Sequence, residues 1–430
     1  MEPRSTTVHC FGCGGSHPGV IERRGGQIVG SYACDGQRHE AVLSESAELY
    51  ETITARSHML RDPGGEPWPP RAVLNLIEIT NTCNFRCPVC YARSGPREEP
   101  RFASADEVVE KVRQARALGA RGVTLTGGEP TQHPDLLDIV RRVSRLGVRV
   151  NMPSNGYRLG TEPDLARRLR RAGLYKTSIQ LDTFRPEIHR LIRGNAHVEE
   201  KRQAMENARS AGLRLGIIAT VTHLNVDDAP ALVEFALGFA PALQTIAFQL
   251  MSRGGRHEIP PGPDVDRERV IERLIRAGYG DPRSFWPLPR FKPWGMRVHP
   301  DCGANLYLLT HGRRRCRLDE VVDLDRFFDH LARSDLPASF MTKNLVPLAH
   351  ALREAAPARI PMLLAHLRGF LSGKGSRGLV VVGIGGFLRE DFYDESRVER
   401  CPTTIATPQG PVSPCVHFRG PVPSDNRSPW

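Results

Sequence analysis

Between about residue 72 and residue 280 the chain alternates apolar runs with amphipathic stretches, and the unit repeats six times. The apolar runs cover 72–80, 122–126, 148–153, 176–182, 214–222 and 245–251, each of strand length. Helical candidates lie between them near 106–119, 134–146, 164–172, 198–212 and 229–239. In the first, Val108, Val109, Val112, Ala115 and Leu118 recur at helical spacing. Asp106, Glu107 and Glu110 occupy its first turns, where carboxylates suit the positive end of the helix dipole. Strands separated by helices at this spacing are parallel and joined by right-handed crossovers. The pattern predicts an α/β chain with a partial (β/α)6, TIM-like barrel whose chemistry sits at the C-terminal ends of the strands.

Outside that region the rhythm changes. Pro260-Pro261-Gly262-Pro263, followed by Pro282, Pro287, Pro289 and Pro293, reads as a linker or irregular segment. Residues 320–376 read as helical, and Gly378–Gly383 as a strand. Residues 424–429 read as a frayed tail. Three segments are expected: a small metal-binding module over 1–60, the barrel over 72–280, and a C-terminal cysteine-bearing region over 281–430.

With 40% hydrophobic and 25% charged residues, the 430-residue chain has an ordinary globular composition. No apolar run reaches the roughly 18 residues needed to span a bilayer, and Met1-Glu2-Pro3-Arg4-Ser5 has no signal-peptide core. A reducing cytoplasm is the expected compartment. The net charge of +11 comes chiefly from arginine on helix faces. It reads as solvated surface rather than a nucleic-acid footprint, since no aromatic–basic motif accompanies it.

The ten cysteines fall in groups, and grouping suggests metal. Cys83, Cys87 and Cys90 follow the first barrel strand directly, within Asn81-Thr82-Cys83-Asn84-Phe85-Arg86-Cys87-Pro88-Val89-Cys90-Tyr91. Three thiolates in one loop suit a [4Fe–4S] cube with one iron left open, since a closed cube takes four. A zinc site would need a fourth ligand, and no Cys or His lies within twenty residues on either side. The Cys-x3-Cys-x2-Cys spacing followed by Tyr91 resembles the signature of radical S-adenosylmethionine (SAM) enzymes. The resemblance implies that the open iron chelates SAM, which is cleaved to a 5′-deoxyadenosyl radical that abstracts hydrogen. It also implies that the turn Gly127-Gly128-Glu129-Pro130 binds the amino group of SAM. Ser154, Asn155, Gln180 and Asp182 at later strand ends would contact its other groups, and Arg193 would pair with its carboxylate.

The outer cysteines suggest further metal. Cys10-x2-Cys13-x20-Cys34-x4-His39, with Gly25-Gly26 mid-spacer, suits a tetrahedral zinc or rubredoxin-like mononuclear iron site. Cys302 and Cys316, and again Cys401 and Cys415, are separated by thirteen residues. Together they resemble paired hairpin ligands of an auxiliary [4Fe–4S] cluster.

The N-terminal module, Phe248-Gln249-Leu250-Met251-Ser252-Arg253-Gly254-Gly255-Arg256, His299-Pro300-Asp301-Cys302-Gly303 and Cys415-Val416-His417-Phe418 resemble one branch in particular. That branch holds the tetraether lipid synthase-like proteins, also described as class D radical SAM methyltransferases. It implies attack on an unactivated C–H bond, with methylation or carbon–carbon coupling on a lipid or small molecule. An electron donor such as flavodoxin or ferredoxin is implied, and the stretch Pro361–Leu371 offers a peripheral membrane contact. Two other readings stand beside it: a maturase modifying a ribosomally made peptide, and a non-catalytic iron–sulfur or zinc protein. The intact Gly127-Gly128-Glu129 turn beside an intact cysteine loop weighs against the last.

Overall fold

The structure, a computed structural model, describes residues 2–56, 74–287, 298–311, 314–332, 378–401, 403–407 and 410–418. It begins with four antiparallel strands: β1 (Arg4–His9), β2 (Ser16–Arg24), β3 (Gln27–Cys34) and β4 (Gln37–Ser44). The β2–β3 hairpin turns at Gly25-Gly26 and the β3–β4 hairpin at Asp35-Gly36. Gly25, Asp35 and Gly36 hold φ of 58°, 51° and 75°, the left-handed backbone that tight hairpins require. Val8, Ile21, Ile28, Tyr32 and Tyr50 form a small core under this sheet.

The barrel follows as β5 (Leu74–Thr80), the two-residue β6 (Val89–Cys90), β7 (Gly122–Gly127), β8 (Arg149–Ser154), β9 (Leu174–Gln180), β10 (Arg214–Val221) and β11 (Leu243–Leu250). The strands expected from the hydrophobic pattern are all present, displaced by no more than two residues at either end. The first crossover helix, Ala105–Ala117, starts where Ser104 accepts from the Glu107 backbone N–H and Glu107 reaches back, a capping box. It buries Val108, Val109, Val112 and Ala115 against the sheet, as its spacing predicts.

The C-terminal region extends the barrel on both edges. It comprises β12 (Arg256–His257), β13 (Trp286–Pro287), β14 (Gly303–His311), β15 (Arg314–Arg317), β16 (Leu379–Gly386), β17 (Tyr393–Asp394), β18 (Thr403–Thr407) and β19 (Gly410–Val412). β16 pairs parallel with β11, and β18 pairs parallel with β5. Among the described residues, eight strands therefore run parallel in the order β16-β11-β10-β9-β8-β7-β5-β18. β17 pairs with β1, so the N-terminal sheet shares a strand with the C-terminal region, and Phe392 packs in the N-terminal core.

Two expectations change. The segment read as a linker contains the helix Arg267–Arg276, whose Val270, Ile271 and Leu274 are fully buried; the flanking prolines concealed a ten-residue amphipathic pattern. Of the stretch read as helical, Leu324–Ala332 is a helix, while 333–377, including Pro361–Leu371, lie outside the described residues. Among the described residues no helix is long and apolar enough to cross a membrane.

One close packing point sets the barrel's upper rim. The short helix Tyr157–Thr161 lies against the helix Val198–Ser210, and a Cβ at Gly160 would collide with the Glu200 carbonyl oxygen. Gly160→Ala is therefore expected to cost about 1–3 kcal/mol, as overpacking does, read as a lowered midpoint in thermal unfolding.

Candidate functional site

The cysteine loop leaves β5 at the C-terminal mouth of the barrel, and several elements hold its backbone. The Gly128 N–H donates to the Thr80 carbonyl and the Glu129 N–H to the Thr82 carbonyl, both at 2.9 Å. A Cβ on Gly127 or Gly128 would collide with those same carbonyl oxygens. The two glycines thus admit the cysteine loop's own backbone at close range. From the other side, β12 pairs with β6, and Arg256 donates to the carbonyls of Cys87 (2.6 Å) and Ser94. The Gly254-Gly255-Arg256 text acts as a strap: a Cβ at Gly255 would press into the Cys90 and Tyr91 carbonyls.

Polar side chains at neighbouring strand ends form a continuous network. Glu129 is 2% exposed. Its carboxylate accepts from Thr131 N–H (3.1 Å), Thr131 Oγ1 (2.7 Å), Ser154 Oγ (2.8 Å) and Asn155 N–H (2.7 Å). Asn155 Nδ2 donates to Asn84 Oδ1 at 2.7 Å, beside Cys83 Sγ at 3.9 Å. Arg193 grips Asp182 bidentately, Nε to Oδ2 at 2.7 Å and Nη2 to Oδ1 at 2.9 Å. The same guanidinium donates to the Val89 carbonyl (2.9 Å) and to Thr220 Oγ1 (2.7 Å). Gln180 Nε2 donates to Asp182. Lys201, fully buried, sends Nζ to the Asn155 carbonyl, the Gln180 carbonyl and Gln180 Oε1, each at 2.8 Å.

This corrects the expectation that Arg193 faces a cofactor carboxylate: a fully buried carboxylate already occupies its fork. Glu129 likewise accepts from four donors, three on Oε1 and one on Oε2. Arg193 is a positioning residue that fixes the loop through the Val89 carbonyl, while the half-buried Asn155 and Gln180 stand at the mouth. Burial opposes ionisation of Asp182, yet Arg193 overrides it and holds the carboxyl below its usual range. Burial lowers the Lys201 ammonium to about 8. Lys201 was not among the expected residues. Its signal was a lysine within the apolar stripe Val198, Lys201, Met205, Ala208.

The three thiols are half-buried. Burial, and then the Glu129 carboxylate, pushes Cys83 up to about 12; burial also raises Cys87, and the neighbouring thiol Cys90 adds to it. Such thiols ionise only against a compensating positive centre. A [4Fe–4S] cluster fits: three soft ligands are held in one pocket, without the single convergence point that one ion requires.

At the N-terminus, Cys10, Cys13, Cys34 and His17 do converge, with ligand atoms within 4.8 Å of one another. A knuckle turn places the first pair: Gly14 N–H donates to the Cys10 carbonyl, and Cys10 N–H to the Gly15 carbonyl, both at 2.9 Å. His17 Nε2 lies 3.0 Å from Cys13 Sγ. His39 is thereby corrected as a ligand. It stands opposite Tyr32 in the β3–β4 register, and its ring stacks on Tyr32 at 4.8 Å between centroids. Three thiolates and one imidazole in one shell suit tetrahedral zinc.

The C-terminal cysteines divide three to one. Cys302 precedes β14 and its carbonyl abuts Gly385 at the C-terminal end of β16. Cys415 Sγ accepts from the Leu388 N–H at 3.5 Å, just beyond the same strand end. Cys401 and Cys415 flank the β18–β19 hairpin, the first just before β18 and the second in the short helix Pro414–His417 after β19. Cys316, by contrast, pairs with Leu309, seven positions along β14 from Cys302, or about 24 Å along a strand. It packs with Trp286, Leu309 and Val321 at the opposite end of the barrel. The four-cysteine auxiliary site is corrected accordingly.

Residues 77–236 match the family model described as the Radical SAM superfamily. They carry a radical SAM domain. This stretch contains the cysteine loop, the Gly127-Gly128-Glu129 turn and the whole Glu129–Arg193 network. Among curated relatives, the "Probable GTP 3',8-cyclase" of Thermococcus kodakarensis is 36% identical over 194 residues, covering 44% of this chain and 60% of its own length. The chain spans 56% and 49% of the length of two further such cyclases, from Thermoplasma volcanium and Marinobacter nauticus. The 7,8-dihydro-6-hydroxymethylpterin dimethyltransferase of Methanocaldococcus jannaschii is 22% identical over 391 residues, covering 80% of this chain and 75% of its own length. Among solved structures, Streptococcus suis SuiB bound to S-adenosylmethionine aligns with a TM-score of 0.42 at 18% identity, covering 48% of each chain.

Two outcomes test this geometry. Arg193→Met leaves Asp182 buried without its cation, so a loss of about 3–5 kcal/mol is expected. Thermal unfolding reads the loss, and iron content reads the loosened loop. At the N-terminus, His17→Ala should deplete the bound metal in elemental analysis, while His39→Ala retains it.

Proposed function

We propose that this protein is a radical SAM enzyme that attacks an unactivated C–H bond of a small molecule and installs carbon there, by methylation or by carbon–carbon coupling. The observation that carries this reading is the match to the pterin dimethyltransferase. It covers 80% of the chain and so runs well past the radical SAM domain. The cyclase relatives are more identical, but their matches span only 37–48% of the chain. They speak to the shared SAM machinery rather than to the acceptor.

A cluster held by Cys83, Cys87 and Cys90 would bind SAM at its open iron and supply the electron, received from an external donor, that splits the sulfonium. The chain's own residues do the positioning. Gly127, Gly128, Glu129, Ser154 and Asn155 fix one side of the cysteine loop; Gln180, Asp182, Arg193 and Lys201 fix the other. Tyr91 packs between Phe387 (5.2 Å between centroids) and Phe418 (4.6 Å), an aromatic wall beside the last cysteine that keeps water from a carbon radical. His417, the neighbour of Phe418, brings its Nε2 within 3.1 Å of Glu78 Oε2.

Anaerobic protein reconstituted with iron and sulfide, then given dithionite and SAM, is expected to release 5′-deoxyadenosine. The Cys83→Ala/Cys87→Ala/Cys90→Ala variant should release none. Adding 7,8-dihydro-6-hydroxymethylpterin, as a C–H-bearing acceptor, should stimulate release. Lipid and peptide extracts serve as competing acceptors, and a product from either alone would displace the small-molecule reading. A fully loaded enzyme that fails to cleave SAM, whether alone or with any of these acceptors, would overturn it.

A further inference from the structure

Below the mouth, the two faces of the barrel strands differ sharply. On β9, Ile179 lies fully buried in the core beneath the crossover helices, so Lys176, Ser178 and Gln180 point the other way, into the barrel. The next two strands repeat the division. Ile217 and Ala219 on β10, with Ile246 and Phe248 on β11, belong to that core, whereas Gly216 and Thr245 lie on the inward face. Ser178, Ile218, Thr245 and Ala247 are only half-buried although they face the inside of the barrel. The lumen is therefore hollow and partly hydroxyl-lined, unlike a barrel filled by layers of branched apolar side chains.

Lys176 reaches across this space. Its Nζ donates to Thr245 Oγ1 at 2.7 Å, two strands away. Gly216, in register with both Ser178 and Thr245, makes the crossing possible. A Cβ there would lie 2.6 Å from Ser178 Oγ, 2.8 Å from Thr245 Oγ1 and 3.1 Å from Lys176 Cε. Burial lowers the ammonium to about 8, and no charged neighbour among the described residues offsets it. Its row is unsatisfied as well. Lys176 stands in register with Asn151, and Asn151 with Thr124. Thr124 Oγ1 is buried and has no hydrogen-bond partner among the described residues. An enclosed cation without a counter-charge and a buried hydroxyl without a partner are both costly unless a ligand satisfies them. An ammonium, hydroxyls and a carboxamide are together a set of donors, and the group that accepts from all of them is an anion.

We propose that Lys176, with Thr245, Ser178, Asn151 and Thr124 around it, seats an anionic group, a phosphate or a carboxylate, at the far end of the acceptor. Taking the ligand to be the acceptor rests on the radical SAM reading above; the anion seat itself does not. Lys176 lies four residues below Gln180 on β9, about 13 Å along a strand. An acceptor anchored there by its charged end spans the lumen and holds a C–H bond at the mouth, beside the cysteine loop. The seat selects acceptors by charge and length, independently of the chemistry done at the other end.

Equilibrium dialysis of the reconstituted full-length protein against radiolabelled inorganic phosphate, and in parallel against acetate, reads the seat directly. No SAM is added, so the outcome does not depend on whether SAM is cleaved. At physiological ionic strength the wild type should bind one of these anions at a single site. Lys176→Met should weaken that binding about tenfold or more, as the loss of a charged hydrogen bond does. Lys176→Arg, which keeps the cation, should restore most of it. Preference for phosphate assigns a phosphorylated acceptor, and preference for acetate a carboxylated one. Binding that Lys176→Met leaves unchanged, or no binding of either anion, would overturn the proposal. Should Lys176→Met fail to fold, pulse acetylation of the wild type with acetic anhydride decides the same question by peptide mass spectrometry. The anion that binds should protect Lys176 and leave Lys111, on the first crossover helix, labelled as before. Equal labelling of Lys176 with and without the anion refutes the seat.

Discussion

The buried Asp182–Arg193 ion pair is the constraint on which the mouth of the barrel depends. One guanidinium satisfies a carboxylate at the end of β9, a hydroxyl on β10 and a carbonyl inside the cysteine loop. Two charges this deep are costly to desolvate, and the cost is offset by the bidentate pairing and two further bonds from the guanidinium. The geometry that satisfies the pair also dictates where Val89, and hence Cys87 and Cys90, must lie. Lys201 extends the same logic, since its ammonium bridges backbone carbonyls of two strand ends. The loop is thus held from below by buried charge and from above by the Arg256 strap.

This arrangement resolves a competition between flexibility and order. A loop carrying three thiols has little apolar surface of its own, and in isolation the thiolates repel. Seven backbone or side-chain bonds from four neighbouring segments replace the missing core. Glycine is required at Gly127 and Gly128 because backbone must touch backbone there. The sequence pattern Gly-Gly-Glu therefore records loop docking at least as much as ligand contact.

How much was legible follows from which forces are local. The barrel strands were readable because each is a short apolar run between helical repeats, and the capping box at Ser104 marks a helix start within four residues. The helix Arg267–Arg276 escaped notice because prolines on both sides outweighed three apolar positions at helical spacing. Lys201 and the Arg193 pairing were hidden for another reason: a charged residue announces its partner only in three dimensions. His39 was read as the fourth ligand because it follows Cys34. The imidazole that converges with the three thiols is instead His17, on β2, where strand pairing brings it beside the knuckle.

The C-terminal cysteines show most clearly that equal spacing is not equal distance. Both pairs are separated by thirteen residues, and both lie on hairpins. In the β18–β19 hairpin Thr407 pairs with Gly410 and Ile405 with Val412, so the turn falls midway between Cys401 and Cys415. The two cysteines then lie four and three residues beyond the Ile405–Val412 pair, on facing arms. In the β14–β15 hairpin His311 pairs with Arg314, so the turn lies close to Cys316 and far from Cys302. A displacement of the turn by a few residues carries one cysteine to the opposite end of a nine-residue strand. Register, set by where the chain reverses, decides which thiols stand at the same end of the barrel.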